Sequence, residues 1–350
     1  MLDYTTYKPD TYLHRFWTGN TVYNETVMFL NEDEAPLLFH ASKILSVRSF
    51  DLKTEYVEGK DYALRDGKIV RLAESAMPLM PEDVYYPTDP APNHICHCSV
   101  PGHPYLLWGD DVLLFRHLVH VTYEHDDAWT GLVPQKNDAA FARFCKKAAS
   151  GERTTVLFYG DSITTGACSS KFINTEPYCD TWSQLVIHGL RKFFRNENIY
   201  AVNTAIGGKN AAWGLLEVQE RAIGVNPDLM VLAFGMNNRT TTPEEFGITM
   251  KEILDAFCAA CPNADVALVS TMIPHFRAAK YYCGQEKQEP VLARLAEHYP
   301  NVGLVPVTSV YRYALDRKRD YDMNANNINH PNDFAVRLYA QTTLSTLIGD

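Results

Sequence analysis

Hydrophobic and polar positions follow two different patterns along the chain, and the pattern changes near residue 150. Before it, the segments are short, rich in β-forming residues and separated by turn signals. The clearest strands are predicted at residues 21–30 and 113–123, and Asp66-Gly67 predicts a hairpin between residues 62–64 and 68–72. This pattern predicts a β-sandwich, jelly-roll-like domain.

After residue 150, apolar runs of four to six residues alternate with amphipathic segments, as in βαβ units that build a parallel sheet. The predicted strands are residues 156–159, 199–202, 229–234, 266–269 and 302–305. The predicted helices are residues 182–194, 211–223, 243–258, 289–298 and 332–347, with a linker helix at 139–149. The sequence therefore predicts two domains, residues 1–150 and 151–350, the second of the α/β class.

Composition and net charge indicate which kinds of binding partner and which cellular environment to expect. The chain has 350 residues, enough for two cores, and 32 basic against 42 acidic residues give a net charge of −10, which disfavours nucleic acid. No apolar run approaches the length of a membrane span, and the first ten residues lack a signal-peptide pattern. Eight cysteines are too few for a disulfide framework. We expect a soluble, cytoplasmic protein that does not bind membranes.

Polar residues follow the carboxyl ends of the predicted parallel strands. In open parallel sheets, the reactive groups lie at these ends. Gly160-Asp161-Ser162 follows the first strand, Gly207-Gly208 the second and Asn237-Asn238 the third, while His330 precedes the last helix. A serine at a strand-to-helix turn projects its hydroxyl over the sheet edge, but it needs a base to take its proton. His330 is the natural base. The N–H groups of Ser162 and Gly208, with the Asn237 amide, would hold a developing oxyanion.

These four blocks resemble the SGNH or GDSL hydrolase family of serine esterases, over residues 154–348. The resemblance implies a flavodoxin-like, three-layer α/β/α domain placed after the β-sandwich. It implies that Ser162 is the nucleophile, His330 the base, and Ser162, Gly208 and Asn237 the oxyanion hole. It also implies that the enzyme uses neither a metal nor an organic cofactor.

Two positions depart from the family pattern, because Asn238 and Asn327 stand where the family usually has aspartate. The second departure removes the expected acid of the triad. The Asn327 carbonyl oxygen can accept from the His330 ring, a backbone carbonyl can do so in a Ser-His dyad, or a carboxylate such as Asp322 or Asp333 can substitute. We favour the dyad, and Asn327 remains a candidate third member of a non-standard triad.

The expected activity is hydrolysis of short acyl esters, with O-acetyl groups on carbohydrate as the leading substrate. The additional N-terminal domain, which can wall a cleft, and the lack of a membrane-binding stretch favour this substrate. The expected binding partner is therefore the substrate, a small-molecule or oligosaccharide ester. A homo-oligomer is compatible with the sequence. The alternatives are a lipase or thioesterase acting on longer acyl chains, or a catalytically decayed carbohydrate-binding protein.

A cluster of possible zinc ligands also occurs in the N-terminal half. His94, Cys96 and Cys98 alternate along a short segment, and His103 follows within the proline-rich stretch of residues 78–104. Their spacing matches no closed zinc motif, so no metal site is expected there. The stretch itself is predicted to be a long loop or crossover.

Overall fold

The structure, a computed structural model, describes residues 3–89 and 95–350. The strands are β1 (Thr21–Met28), β2 (Glu34–Ala35), β3 (Ala41–Ser49), β4 (Tyr62–Arg65), β5 (Lys68–Arg71), β6 (Ile95–His97), β7 (Tyr105–Leu107), β8 (Leu118–His125), β9 (Thr154–Gly160), β10 (Ile199–Asn203), β11 (Leu229–Ala233), β12 (Asp265–Val269) and β13 (Val302–Val305). The helices are α1 (Pro9–Tyr12), α2 (Glu82–Tyr85), α3 (Ala142–Ala149), α4 (Ser162–Thr165), α5 (Trp182–Phe194), α6 (Ala211–Arg221), α7 (Pro243–Ala260), α8 (Glu289–Ala296), α9 (Val307–Leu315), α10 (Asp320–Met323) and α11 (Asp333–Ile348).

The C-terminal half is a three-layer α/β/α domain, which confirms the predicted fold class. Its five strands are all parallel and lie in the order β10-β9-β11-β12-β13. Helices α6, α7 and α8 bury their apolar residues on one face, and α5 and α11 cover the other. Because β10 and β11 flank β9 on opposite sides, the strand order reverses at β9. Ligands of such sheets bind at the carboxyl ends of the strands around this switch point.

The N-terminal half contains three small antiparallel sheets, β1-β8-β3, β2-β5-β4 and β6-β7. The predicted hairpin is confirmed, since Tyr62 pairs with Arg71 across β4 and β5. The strand predicted at residues 113–123 begins only at Leu118. Local bonds fold the preceding residues into a turn, including one from the Leu113 N–H to Asp111 Oδ1. Strand β3 was not predicted, because two register shifts interrupt its alternation of buried and exposed positions.

The two halves share a hydrophobic core that includes residues from Tyr12 to Ile348. All sixteen residues of α11 are buried, because the N-terminal segment covers the face that a surface helix would leave to solvent. The side chains of Arg337 and Gln341 on this helix donate to the carbonyl oxygen of Tyr12, at 3.2 and 3.0 Å. Polar residues on α11 therefore bond to the N-terminal half.

A buried ion pair also joins the halves. Lys318 Nζ lies 2.5 Å from Glu25 Oε1, and both side chains are inaccessible to solvent. The pair has further partners, because Lys318 also donates to the Thr26 carbonyl at 3.0 Å and Tyr123 donates to Glu25 Oε2 at 2.7 Å. A buried pair satisfied in this way holds the two halves in one fixed register.

The eight cysteines are all free thiols. Across residues 3–89 and 95–350, no helix combines the length and the apolar character needed to cross a bilayer.

Candidate active site

Ser162 lies at the turn between β9 and α4, at the carboxyl edge of the sheet. Asp161 caps α4, since its side chain accepts from the Ile163 N–H at 3.0 Å. A Cβ at position 160 would lie 2.3 Å from the carbonyl oxygen of Ala233, so glycine is required there for β9 to pass β11. Burial raises the pKa of Asp161 to about 7, although backbone hydrogen bonds oppose that shift. The Gly-Asp-Ser sequence thus encodes a sharp turn with Ser162 at its apex.

His330 lies in the loop between α10 and α11, three residues before the first residue of α11. Asn326 shapes this loop, because its Oδ1 accepts from the backbone N–H groups of Ile328, Asn329 and His330, each at 3.0 Å. The imidazole Nε2 lies 2.9 Å from Ser162 Oγ, and both residues are largely buried. The predicted Ser162 and His330 side chains therefore meet, although 168 positions separate them in the sequence.

The opposite edge of the imidazole faces a carboxylate from the N-terminal half. Asp110, three residues after the end of β7, places Oδ1 3.0 Å from His330 Nδ1. Asn326 Nδ2 and Cys168 Sγ donate to the same oxygen, at 2.9 and 3.2 Å. A carboxylate only accepts, so this contact assigns the ring proton to Nδ1 and leaves the Nε2 lone pair facing Ser162.

The electrostatics of Asp110 agree with an ionised carboxylate. Partial burial works to raise its pKa, but the hydrogen bond and charge of His330 outweigh it. Donors Asn326 and Cys168 act in the same direction, and together they lower the pKa to about 2. Asp110 is therefore charged throughout the neutral pH range, with its side chain about half exposed.

The Asn327 side chain makes its hydrogen bonds to groups other than the His330 ring. Its Oδ1 accepts from the Tyr85 hydroxyl at 2.7 Å, and its Nδ2 donates to the Leu107 carbonyl at 3.0 Å. Both partners belong to the N-terminal half, and Leu107 is the last residue of β7. Asn327 thus holds the strand that precedes Asp110, with its own backbone in the left-handed region at φ 64°.

The other carboxylates considered from the sequence also bond elsewhere. Asp322 Oδ1 accepts from the Met28 N–H at 2.8 Å, and Asp322 Oδ2 pairs with Arg319. Asp333 Oδ1 accepts from the Ser170 N–H at 2.9 Å. The structure places neither of them on the His330 ring, whose Nδ1 partner is Asp110 rather than a backbone carbonyl.

The loop after β10, which carries the predicted oxyanion donor Gly208, lies beside Ser162, and Asn237 is tied to this loop. A Cβ at Gly207 would lie 3.7 Å from the Ser162 Cβ, so the loop after β10 passes directly beside the serine. Gly208 has a left-handed φ of 75°, which glycine adopts at little cost. Asn237 Nδ2 donates to the Lys209 carbonyl at 3.0 Å, which ties its amide to this loop and leaves one further N–H on the same nitrogen.

Asn238 has a structural contact that explains its departure from the family pattern. Its Oδ1 accepts from the Ala211 N–H at 3.1 Å, at the first residue of α6, where Asn210 also caps the helix. This role requires only an acceptor oxygen. An amide supplies one as well as a carboxylate does.

Three residues of the zinc cluster considered in the N-terminal half, Cys96, Cys98 and His103, lie within the described residues, and each contacts another group. His94 lies outside the described residues. The Cys98 thiol accepts from the Val100 N–H at 3.4 Å, and the His103 ring lies 4.3 Å from that of Tyr86.

Sequence reasoning missed Asp110, Asn326 and Cys168. Asp110 follows a three-residue strand and is 220 positions from His330, so no local pattern connects the two. Asn326 directly precedes the block of residues 327–331 that contains His330, but its role depends on a loop conformation that spacing alone does not specify. Cys168 lies three residues after the end of α4, and its proximity to that helix was the one available signal.

The turn bearing Ser162, the facing imidazole and the parallel sheet define a GDSL-type hydrolase. The family model of GDSL-like lipases and acylhydrolases matches residues 158–338, just over half of the chain. The chain belongs to this family and is a carboxylic ester hydrolase, as the resemblance implied. A search of curated proteins found no match.

Solved structures similar to this chain have low sequence identity to it. A two-domain esterase (CEX) active on acetylated mannans is 22% identical with a TM-score of 0.50, covering 61% of this chain and 53% of that one. Axe2, an acetylxylan esterase from Geobacillus stearothermophilus, is 18% identical with a TM-score of 0.45, covering 55% and 92%. LAE5, an α/β hydrolase from the metagenome of Lake Arreo in Spain, is 19% identical with a TM-score of 0.45, covering 55% and 94%.

Proposed function

We propose that this protein removes short acyl groups, principally O-acetyl groups on carbohydrate, through a Ser162–His330–Asp110 triad. The observation that carries the proposal is the continuous line of contacts from Ser162 Oγ to His330 Nε2, and from His330 Nδ1 to Asp110 Oδ1. This is the arrangement that activates a serine hydroxyl. It also argues against a decayed site, which would have no reason to retain it.

The proposed reaction has two steps, acylation of Ser162 and hydrolysis of the acyl-enzyme. Ser162 attacks the acyl carbonyl as His330 accepts its proton, and the N–H groups of Ser162 and Gly208, with the Asn237 amide, stabilise the oxyanion. His330 then protonates the departing alcohol, which leaves an acyl group on Ser162. Water enters, gives its proton to His330 and releases the acid by the same route. Asp110 keeps the ring proton on Nδ1 and stabilises the imidazolium at each stage.

The choice of a short acyl group rests on the polarity of the groups around His330. A long acyl chain needs a deep apolar cavity beside the nucleophile. The neighbours of His330 are instead polar, namely Asp110, Asn326 and Asn329. The carbohydrate part of the proposal draws also on the acetylated glycans named for two of the structural neighbours.

The test compares acyl length and acyl carrier. Rates of hydrolysis are measured on p-nitrophenyl acetate, butyrate and octanoate, and acetate release is measured on acetylated xylo- and manno-oligosaccharides. We expect the acetyl ester to be preferred and the oligosaccharides to be deacetylated. The control variants are Ser162→Ala, expected to be inactive, and Ser150→Ala at an exposed turn, expected to match the parent.

Each arm has an outcome that contradicts the proposal. A preference for the octanoyl ester would replace it with a lipase or thioesterase activity. Hydrolysis of the synthetic acetate without deacetylation of either glycan would remove carbohydrate as the substrate. We expect a fluorophosphonate to label the parent protein but not Ser162→Ala, because the reagent reacts with an activated serine hydroxyl.

A further inference from the structure

Three donor atoms of different chemistry meet on the Nδ1 side of the His330 ring. Cys168 Sγ lies 3.1 Å from His330 Nδ1 and 3.2 Å from Asp110 Oδ1, and the last two atoms are 3.0 Å apart. Within residues 3–89 and 95–350, this is the one group of three or more such residues placed to hold a metal ion. Hydrolysis uses Asp110 and His330 but assigns no step to the thiol.

We propose that Asp110, Cys168 and His330 form an inhibitory site for a thiophilic divalent cation such as Zn²⁺. Carboxylate oxygen, cysteine sulfur and imidazole nitrogen are the ligands that zinc takes in proteins, at about 2.0–2.3 Å. The three donors form a nearly equilateral triangle. A cation about 2.1 Å from each would lie about 1 Å out of their plane, with a fourth position open to water.

Access and rigidity suit such a site. Cys168 and His330 are buried, so their donor atoms are held in place, while the Asp110 side chain is about half exposed and gives an ion a path from solvent. Asn326 Nδ2, a donor that faces the same atoms, must give up its contacts with Asp110 and His330. It has another acceptor, since Asn329 Oδ1 lies 3.2 Å away.

Inhibition follows from the tautomer of His330, and this part of the inference rests on the proposed function. The cation takes the lone pair of Nδ1, so the one proton of the neutral ring moves to Nε2. Nε2–H then donates to Ser162 Oγ, 2.9 Å away, and has no lone pair left to accept the serine proton. The Cys168 thiol proton is released to solvent as the sulfur binds. Ion binding therefore removes the base without displacing any catalytic side chain.

Metal binding is tested without relying on hydrolysis. Full-length Ser162→Ala is titrated with Co²⁺, and the cobalt–thiolate charge-transfer absorption is recorded. We expect one equivalent of Co²⁺ to give this absorption, and Cys168→Ser in the same background to lose it. Cys283→Ser, at an exposed cysteine, is the matched control and should retain it. An unchanged absorption in the Cys168 variant, or none in the parent, overturns the site.

A second ligand variant guards against a folding defect. Asp110→Ala alters a half-exposed side chain and should weaken Co²⁺ binding at least about tenfold, with a thermal unfolding temperature close to that of the parent. Full-strength binding by a folded Asp110→Ala protein would contradict a three-residue site.

Inhibition is then measured on an ester the parent hydrolyses. Zn²⁺ should abolish hydrolysis, and a chelator should restore it. Cys168→Ser, compared with its own zinc-free rate, should require at least about tenfold more Zn²⁺, whereas Cys283→Ser should match the parent. Equal sensitivity of the Cys168 variant, or Co²⁺ binding without inhibition, overturns the inhibitory role. A protein inactive on every ester would refute the proposed function, while the cobalt titration would still decide the site.

Discussion

The two halves of the molecule contribute to the candidate site in different ways. The α/β half supplies four residues from turns and loops that follow its strands or precede its last helix, namely Ser162, Gly208, Asn237 and His330. A local sequence motif predicts the position of each. The N-terminal half supplies Asp110 from a loop after a three-residue strand with no motif around it. An N-terminal region that could be taken for an accessory module therefore contributes to the candidate site and to the core.

The largest expected effect lies in the α/β half. Ser162→Ala should lower kcat/KM on p-nitrophenyl acetate by about 10⁴- to 10⁶-fold, because no other group can form the acyl-enzyme. Its unfolding temperature should stay near that of the parent. A variant that keeps most of its activity would show that the hydroxyl is not the nucleophile.

The next effect measures what the N-terminal half gives to catalysis. Asp110→Asn should lower kcat by about 10²- to 10⁴-fold, because an amide permits the wrong ring tautomer. The imidazolium that forms during the reaction also loses its negative neighbour, so its formation costs more free energy. Asp66→Asn, at the exposed β4–β5 turn with φ 48°, is the matched control and should behave like the parent.

A purely structural role for Asp110 would lower the amount of folded protein but leave the kcat of the folded fraction unchanged. That result would mean that catalysis uses a dyad of Ser162 and His330, and that the N-terminal half contributes no group to the reaction.

The buried ion pair tests whether the halves are also one unit in stability. Lys318→Met should destabilise the protein by about 3–5 kcal/mol, because Glu25 is left charged and unpaired in the core. Urea unfolding followed by both circular dichroism and tryptophan fluorescence should remain a single transition. Lys43→Met, on the exposed side of β3, should change little. Two separate transitions in the parent would show that the halves fold independently.

The smallest expected effect concerns Asn327. It distinguishes a role in orienting His330, which the sequence left open, from a role in holding β7, which its contacts indicate. Asn327→Asp restores the acid that the family usually has, but it removes the donor to the Leu107 carbonyl. We expect no gain in kcat and a loss of about 1–3 kcal/mol in unfolding free energy, since a buried acceptor loses its partner. A rise in kcat would mean that position 327 does orient His330.

Much of the α/β half could be predicted because its signals are local. Apolar runs predicted all five parallel strands, and the helix predicted at residues 182–194 has those bounds in the structure, with a capping box at Thr181 and Gln184. The N-terminal half was harder, because bulges and turns hide the alternation of its strands, as in β3.

The sequence by itself determined the family, the parallel sheet and the four motif residues, because a strand, a cap or a sharp turn depends on neighbours a few positions away. Only the tertiary structure decided which group orients His330. Asp110 and His330 are brought together by long-range packing, in which Asn327 holds β7 and a shared core fixes one half against the other. Contacts across 220 positions depend on the whole fold, so they leave no trace in local spacing.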